Sequence, residues 1–215
     1  MELQSIQIAL FFKDILLNRP DLTFRNLSEK LSNIFDKMPT IFPIPNEAPH
    51  EIPFMILSSQ DNLTTCNISR SRIDFLTTNK NLMENETTLF SFIDEVCEVR
   101  EIIQFGFVST HFKKTNNATD EIKQKFLKSN DSMKDLSIRY NKPTKINKEL
   151  FNYHFSISDI KQQNINTNFI EEGLLIQRDI NNITLNLKNE IFVHTKLKSI
   201  LKNSFTILYS REIND

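Results

Sequence analysis

The chain contains only two glycines in 215 residues, Gly106 and Gly173, and this scarcity limits the sites that it can form. Loops that cradle phosphates need several glycines close together, because only a residue without Cβ lets backbone N–H groups approach a phosphate or take a positive φ cheaply. Each of the two glycines stands alone in the sequence. The sequence therefore excludes Walker-type, dinucleotide-type and kinase-type nucleotide sites, and we expect no cofactor.

Composition indicates a folded globular protein. Hydrophobic residues make up 39% of the chain and charged residues 25%, which is enough to bury a core as one domain or as two closely packed halves. The net charge of −1 argues against broad attraction to nucleic acid or to an anionic membrane. No secretory signature and no run of about 20 apolar residues is present, so a cytoplasmic location is expected. We expect Cys66 and Cys97 to be reduced and mostly buried.

Hydrophobic spacing predicts several strands mixed with isolated helices. The clearest helix covers Thr23–Met38, since apolar residues recur there at helical spacing, at Phe24, Leu27, Leu31, Ile34 and Met38. Five prolines between positions 39 and 53 then indicate an extended connection. Further helices are predicted near Leu89–Cys97, Asp120–Lys128 and Val193–Leu201. The predicted strands are Leu3–Leu17, Pro53–Ser59, Thr64–Thr77, Ile102–Phe112, Leu136–Tyr140, Leu150–Ile160, Leu174–Arg178, Ile183–Leu187 and Phe205–Tyr209.

This order of elements favours an α+β fold with a predominantly antiparallel or mixed sheet and a few packed helices. We predict a single domain over residues 1–215. Each half of the chain supplies helices and meandering strands, so two similar halves, 1–115 and 116–215, are the alternative description.

The best candidate binding residues lie in the predicted strand Thr64–Thr77. Alternation places Arg70, Arg72 and Asp74 on one face, with the two arginines about 7 Å apart. Such a pair can bind a phosphate or carboxylate, with Asp74 orienting one guanidinium. The alternative is a solvated ladder of charges. His111, which lies just before Lys113 and Lys114, is a further candidate for contact with an anion, and a solvated strand end is its alternative.

Other features carry weaker functional signals. The four histidines have no metal-ligand spacing, so no metal is expected, and no nucleophile elbow is present. The acidic residues between Asp94 and Glu101 are typical of the solvated face of a helix. Phe151, Tyr153 and Phe155 alternate on one strand face, where they could stack nucleic-acid bases or pack in the core.

Four segments of the chain resemble an uncharacterised, sporadically distributed bacterial α+β family of about this size. The segments are Phe42–Pro45, Asn67–Phe75, Ile103–Val108 and Leu136–Asn141, and the resemblance as a whole extends over about a third of the chain. Gln104 stands where the family pattern has an arginine before Gly106. The resemblance implies an α+β fold and a mobile-element, defence or toxin–antitoxin setting, and it implies no catalytic residues.

We therefore expect a macromolecule-binding accessory protein, in a defence, immunity or toxin–antitoxin setting, that has a protein partner and no catalysis of its own. The alternative is an enzyme or sensor that acts on nucleotides or nucleic acid through the Arg70 and Arg72 face together with His111. Convergence of those side chains in one cleft would favour the alternative. The sequence does not determine the oligomeric state.

Overall fold

An antiparallel sheet organises the chain, for which a computed structural model describes residues 1–16, 20–128, 132–163, 170–182 and 191–209. The strands are β1 (Glu2–Phe12), β2 (Thr40–Ile41), β3 (Met55–Ser58), β4 (Thr64–Ile68), β5 (Arg72–Thr77), β6 (Ile102–Lys114), β7 (Ser137–Ile146), β8 (Glu149–Gln163) and β9 (Ile170–Asn182). The helices are α1 (Pro20–Lys30), α2 (Lys80–Glu84), α3 (Glu86–Val99), α4 (Ala118–Ile122) and α5 (His194–Leu208). A π-helical turn, Lys123–Leu127, continues α4.

The strand order is β2-β3-β4-β5-β1-β6-β9-β8-β7, and every neighbouring pair is antiparallel. The predicted α+β fold with a predominantly antiparallel sheet is therefore confirmed. The predicted strand Ile183–Leu187 lies outside the described residues.

The sheet has the same order on both sides of the central β1–β6 pair. On one side β1 is followed outward by β5, β4 and β3, and on the other side β6 is followed by β9, β8 and β7. A helix follows the first strand of each set, and a longer helix closes each set. We call residues 2–99 the first repeat and residues 102–208 the second repeat. The first repeat ends, and the second begins, just before β6. The predicted halves 1–115 and 116–215 would instead place β6 in the first half.

The helices pack on one face of the sheet through phenylalanine pairs. Phe24 of α1 stacks on Phe12 with ring centroids 5.7 Å apart, and Phe205 of α5 meets Phe107 edge-on at 4.5 Å. Phe92 of α3 packs on Phe75 at 4.8 Å. Each of these rings is almost completely buried. This layer is the main hydrophobic core, because residues at alternate positions of the strands all point into it.

Several predicted elements differ from the structure, among them the strand predicted over Leu3–Leu17, since β1 ends at Phe12. The helix predicted over Thr23–Met38 ends at Lys30, and Met38 is 90% exposed, although Leu31 and Ile34 remain buried in the turns that follow. The strand predicted over Phe205–Tyr209 is wrong, since Phe205 belongs to α5. In α5, Phe205 continues the helical spacing of the buried residues Leu197 and Leu201. This packing pattern overrides the local β propensity of the segment.

The predicted strand Thr64–Thr77 is also wrong as a single strand. The chain turns at residues 69–71, and β4 and β5 pair as a hairpin, with Ile68 opposite Ile73. The Ser69 hydroxyl accepts the backbone N–H of Arg72 at 3.1 Å and stabilises this turn. Arg70 consequently lies in the turn, while Arg72 and Asp74 lie on β5.

Candidate binding surface

Arg70 is a buried structural residue, with 4% of its surface exposed. Its guanidinium donates to the carbonyl oxygens of Ile44, Pro45 and Asn46 at 3.1 to 3.2 Å. Its backbone N–H donates to the carbonyl of His50 at 3.1 Å. These bonds hold the proline-rich connection against the end of the sheet. The predicted placement of Arg70 beside Arg72 on one strand face is wrong, because the turn at 69–71 separates them.

Arg72 and Asp74 form the pair that alternation predicts. The Arg72 Nε lies 2.8 Å from an Asp74 carboxylate oxygen, and the guanidinium lies 5.6 Å from the centre of the Phe11 ring. Burial raises the pKa of Asp74, and the nearby Arg72 opposes that shift. Since each charge is already compensated by the other, this pair offers an incoming anion little net attraction.

His111 lies on the opposite face of the sheet, among the helices, and is buried. Its Nε2 is 2.8 Å from the carbonyl oxygen of Leu208, so Nε2 carries the proton and donates it. The Ser109 hydroxyl donates to the same carbonyl at 3.0 Å. Leu208 is the last residue of α5, where carbonyls lack helical partners, so both side chains cap this helix. Burial lowers the pKa of His111 from 6.5 to about 4.

The four predicted binding residues therefore do not converge. Arg70 is engaged in the turn, Arg72 and Asp74 lie on one face of the sheet, and His111 lies on the other. A binding role for these residues stays a prediction, and it would require separate sites. The aromatic residues Phe151, Tyr153 and Phe155 are buried beneath the helices and are part of the core.

The sheet face opposite the helices, which we call the uncovered face, carries no helix in the described part of the chain. Small, amide and apolar side chains dominate its centre. Strand register places Asp74, Ala9, Gly106 and Asn181 in one row. Leu76, Gln7, Val108, Asp179 and His154 form the next row. Antiparallel sheets often leave one face in contact with water. In this protein, that face also contains a depression at its centre.

A depression of about 320 Å³ lies over β1, β6 and β9 on the uncovered face. Its lining residues are Gln7, Ala9, Phe11, Gln104, Phe105, Gly106, Val108, Asp179, Asn181 and Asn182. Gly106 forms part of the floor. A Cβ built there would meet only the Ala9 Cβ, at 4.0 Å, and the φ of Gly106 is not positive. The missing side chain at Gly106 therefore deepens the depression. The backbone conformation at this position does not require a glycine.

Asp179 gives the depression its electrostatic character. Asn181 donates to one carboxylate oxygen at 3.1 Å, and the other oxygen, Oδ1, is buried without a hydrogen-bond partner in the described structure. Burial raises the pKa of Asp179, and His154 opposes the shift. The residues that line the depression include no lysine or arginine. The depression thus suits a group that donates hydrogen bonds and disfavours a phosphate.

Two further cavities lie elsewhere in the described structure. One of about 460 Å³ lies beside α4, where Lys161 pairs with Glu172 at 2.7 Å and Thr119 donates to Asp159. Another of about 290 Å³ lies near His111 and Tyr209. Within the described ranges, no three His, Cys, Asp or Glu side chains lie close enough together to hold a metal ion. No helix there has the length and apolar character of a membrane span.

Sequence reasoning missed Gly106, Ala9 and Asp179 as a group. An isolated glycine within an apolar strand is a signal of close approach or of an open surface, and Gly106 had that signal. Asp179 lies between the apolar residues Leu174–Ile176 and Ile180, where an acidic residue is unusual. Their proximity depends on the β6–β9 register, which the sequence does not specify.

No protein-family model matches the chain, and a search of curated proteins returns no significant match.

Proposed function

We propose that this protein is a macromolecule-binding accessory protein, without catalysis of its own, that binds a protein partner through the uncovered face. The observation that carries the proposal is the depression over β1, β6 and β9, where small residues open the face and Asp179 presents a buried oxygen without a partner. A defence, immunity or toxin–antitoxin setting is the part of the proposal that rests on the family resemblance alone.

The chemistry of the depression favours a protein partner over a nucleic acid. Nucleic-acid surfaces depend on lysine and arginine near phosphates, and the lining of the depression has neither. Arg72, the nearest arginine on this face, is paired with Asp74. A protein loop can supply both an apolar group for Ala9, Phe11 and Val108 and a donor for Asp179. Such mixed apolar and hydrogen-bonding contacts are typical of protein interfaces.

The alternative, an enzyme or sensor for nucleotides or nucleic acid, has less support. It required Arg70, Arg72 and His111 to approach one another, and they lie in three separate environments. His111 stays neutral at physiological pH because its pKa is about 4, and its donor is already used by Leu208. A general acid or base needs a pKa near the working pH and an accessible proton.

The test compares partner capture from the native host by wild-type protein and two leucine variants. Gly106→Leu fills the depression, while Thr65→Leu adds the same side chain on β4 of the same face, outside the depression. We expect the wild type and Thr65→Leu to retain one protein equally and Gly106→Leu to lose at least about tenfold of it, after circular dichroism confirms that each variant folds.

The captured protein is then purified and titrated against the same three variants by calorimetry. Equal affinity for Gly106→Leu and wild type would refute the proposed surface. Retention that disappears after nuclease treatment would instead support the nucleic-acid alternative.

A further inference from the structure

The two edges of the sheet are covered to different extents. At the first edge, the segment 37–42 runs along β3. The Lys37 N–H donates to the carbonyl of Ser58 at 3.1 Å, and the Phe42 N–H donates to that of Phe54 at 2.8 Å. Between them, Thr40 and Ile41 form β2 and pair with β3. The first repeat thus supplies an extended segment from its own chain to cover its outer strand.

In the second repeat, the outer strand β7 lacks such a cover among the described residues. β7 occupies the position that β3 has in the first repeat, and it pairs only with β8. The connection that supplies β2 in the first repeat spans residues 31–54, whereas the corresponding connection in the second repeat spans only 128–136. A strand edge without a cover presents N–H and C=O groups that can pair with another strand.

The edge strand β7 and its flanks are strongly basic. Residues 134–148 contain Lys134, Arg139, Lys142, Lys145 and Lys148 against one acidic residue, Asp135, in a chain whose net charge is −1. Arg139 and Lys145 are exposed on the uncovered side of β7, and neither forms an ion pair with a described residue. Lys142 lies on the other side, with its ammonium over the rings of Tyr140 and Tyr153. The charge of the edge therefore complements an acidic segment.

We propose that β7 binds an extended, acidic segment of a partner protein, which adds to the sheet as a further strand beside β7. The segment takes at β7 the place that residues 40–41 take at β3. Its acidic side chains lie on the uncovered side, opposite Arg139 and Lys145. Its apolar side chains lie on the helix side, next to the partly buried Ile138 and Tyr140. Main-chain hydrogen bonds supply affinity and the side chains supply selectivity.

The charge and the backbone hydrogen-bond pattern of β7 decide against two other occupants of this edge. A second copy of β7 would place like charges opposite one another, which is unfavourable, and Pro143 removes one backbone donor from the strand. A nucleic acid could satisfy the charges but could not form the alternating donor and acceptor pattern of a strand. The proposal uses residues outside the central depression, so it can fail while the proposed function stands, and the reverse also holds.

The experiment measures binding of a fluorescent ten-residue peptide, in which glutamate alternates with valine and threonine, to the full chain by anisotropy. Three comparison probes are used: the same peptide with lysine in place of glutamate, the acidic peptide with N-methyl groups on alternate residues, and single-stranded DNA. N-methylation keeps the charge and removes the backbone donors of one edge. We expect each comparison probe to bind at least about tenfold more weakly than the acidic peptide.

The protein variants separate β7 from the rest of the surface. Arg139→Glu/Lys145→Glu should lose at least about tenfold in affinity for the acidic peptide. Lys13→Glu/Arg25→Glu, which changes the net charge equally in the first repeat, should bind like the wild type. Hydrogen exchange should show slower exchange of β7 amides when the acidic peptide is bound. The proposal is overturned by absent peptide binding, by equal binding of the N-methylated peptide or the DNA, or by an unchanged affinity of the β7 variant.

Discussion

The guanidinium of Arg70 contacts three consecutive backbone carbonyls, those of Ile44, Pro45 and Asn46. The proline-rich segment has few backbone donors of its own, so this one side chain replaces the hydrogen bonds that a regular element would provide. Position 70 therefore stabilises the fold, even though sequence reasoning assigned it to ligand binding.

We expect Arg70→Ala to lower the free energy of unfolding by about 2–4 kcal/mol, because it removes the hydrogen bonds that a buried guanidinium donates to three backbone carbonyls. Arg70→Lys should restore little, since one ammonium cannot reproduce the planar fork. Arg72→Ala is the matched control and should cost less than about 1 kcal/mol, because Arg72 is partly exposed. Urea unfolding followed by circular dichroism measures these differences. Equal midpoints for the two alanine variants would contradict this role.

His111 makes folding stability depend on pH. Its pKa is about 4 in the folded protein and near 6.5 in an unfolded chain. Between these values the unfolded chain binds a proton that the folded protein does not, so the free energy of unfolding decreases as the pH falls from about 6.5 to about 4. The loss approaches about 3 kcal/mol at the acid end, since one pKa unit corresponds to roughly 1.4 kcal/mol.

An NMR titration of the imidazole tests this prediction directly, with urea unfolding at pH 7.5, 6.5 and 5.5 as the second measurement. The ring of His111 should stay neutral at pH 5.5, and a His111→Asn variant should lose most of the change in stability over this range. A His111 ring that titrates near pH 6.5 in the folded protein would refute the prediction.

At the scale of single residues, the sequence predicted which side chains lie next to each other on one strand face, but it did not predict the turn between β4 and β5. Alternation placed Arg72 and Asp74 side by side correctly, because two residues along a strand lie on one face. The turn at 69–71 could not be predicted in the same way. It contains Ser69, Arg70 and Ser71, without the glycine, proline or asparagine that usually marks a hairpin connection.

At the scale of elements, the two glycines of the chain differ in the space around them: Gly173 on β9 has no room for a Cβ, whereas Gly106 on β6 has room for one. A Cβ at Gly173 on β9 would lie 2.5 Å from the Lys113 carbonyl oxygen and 2.5 Å from the Phe112 ring. The backbone oxygen cannot move away without breaking the pairing of β6 with β9. A Cβ at Gly106 would lie 4.0 Å from the Cβ of Ala9, which is an ordinary van der Waals distance.

Gly173→Ala should therefore destabilise the protein by about 1–3 kcal/mol, as overpacking does elsewhere. Gly106→Ala should be neutral or stabilise by up to about 1 kcal/mol, because glycine weakens a strand. Thermal and urea unfolding of the two variants, measured side by side, give the comparison. Similar stabilities for both variants would show that β9 can shift away from β6, contrary to the close packing at Gly173.

Element types were predictable where the apolar pattern was long and regular. Leu89, Ile93 and Val96 identified α3, and the alternation in Phe151–Ile157 identified β8. The end of α5 was mistaken for a strand because Phe205, Thr206 and Ile207 have β propensity. The helical spacing of Phe205 from Leu197 and Leu201, together with its packing against Phe107 and Phe90, decides in favour of the helix.

For the whole molecule, the antiparallel sheet and its helix layer followed from the order of strands and helices. The uncovered face and the open edge at β7 did not, because both depend on which strands become neighbours. Sequence patterns determine which side chains share a face, while the β6–β9 pairing determines that Gly106 and Asp179 meet at the centre of the uncovered face. Candidate binding features therefore arose between strands that are far apart in sequence.

The central pairing of β1 with β6 also affects how the protein is made. Ile8 pairs with Phe107, so during synthesis β1 keeps one edge unpaired until β6, about 100 residues later in the chain, has also emerged. During that time the first repeat exposes a strand edge that belongs at the middle of the finished sheet. We expect the nascent chain to be prone to aggregation at this stage and to depend on chaperones, and β1 to serve as the template on which the second repeat assembles.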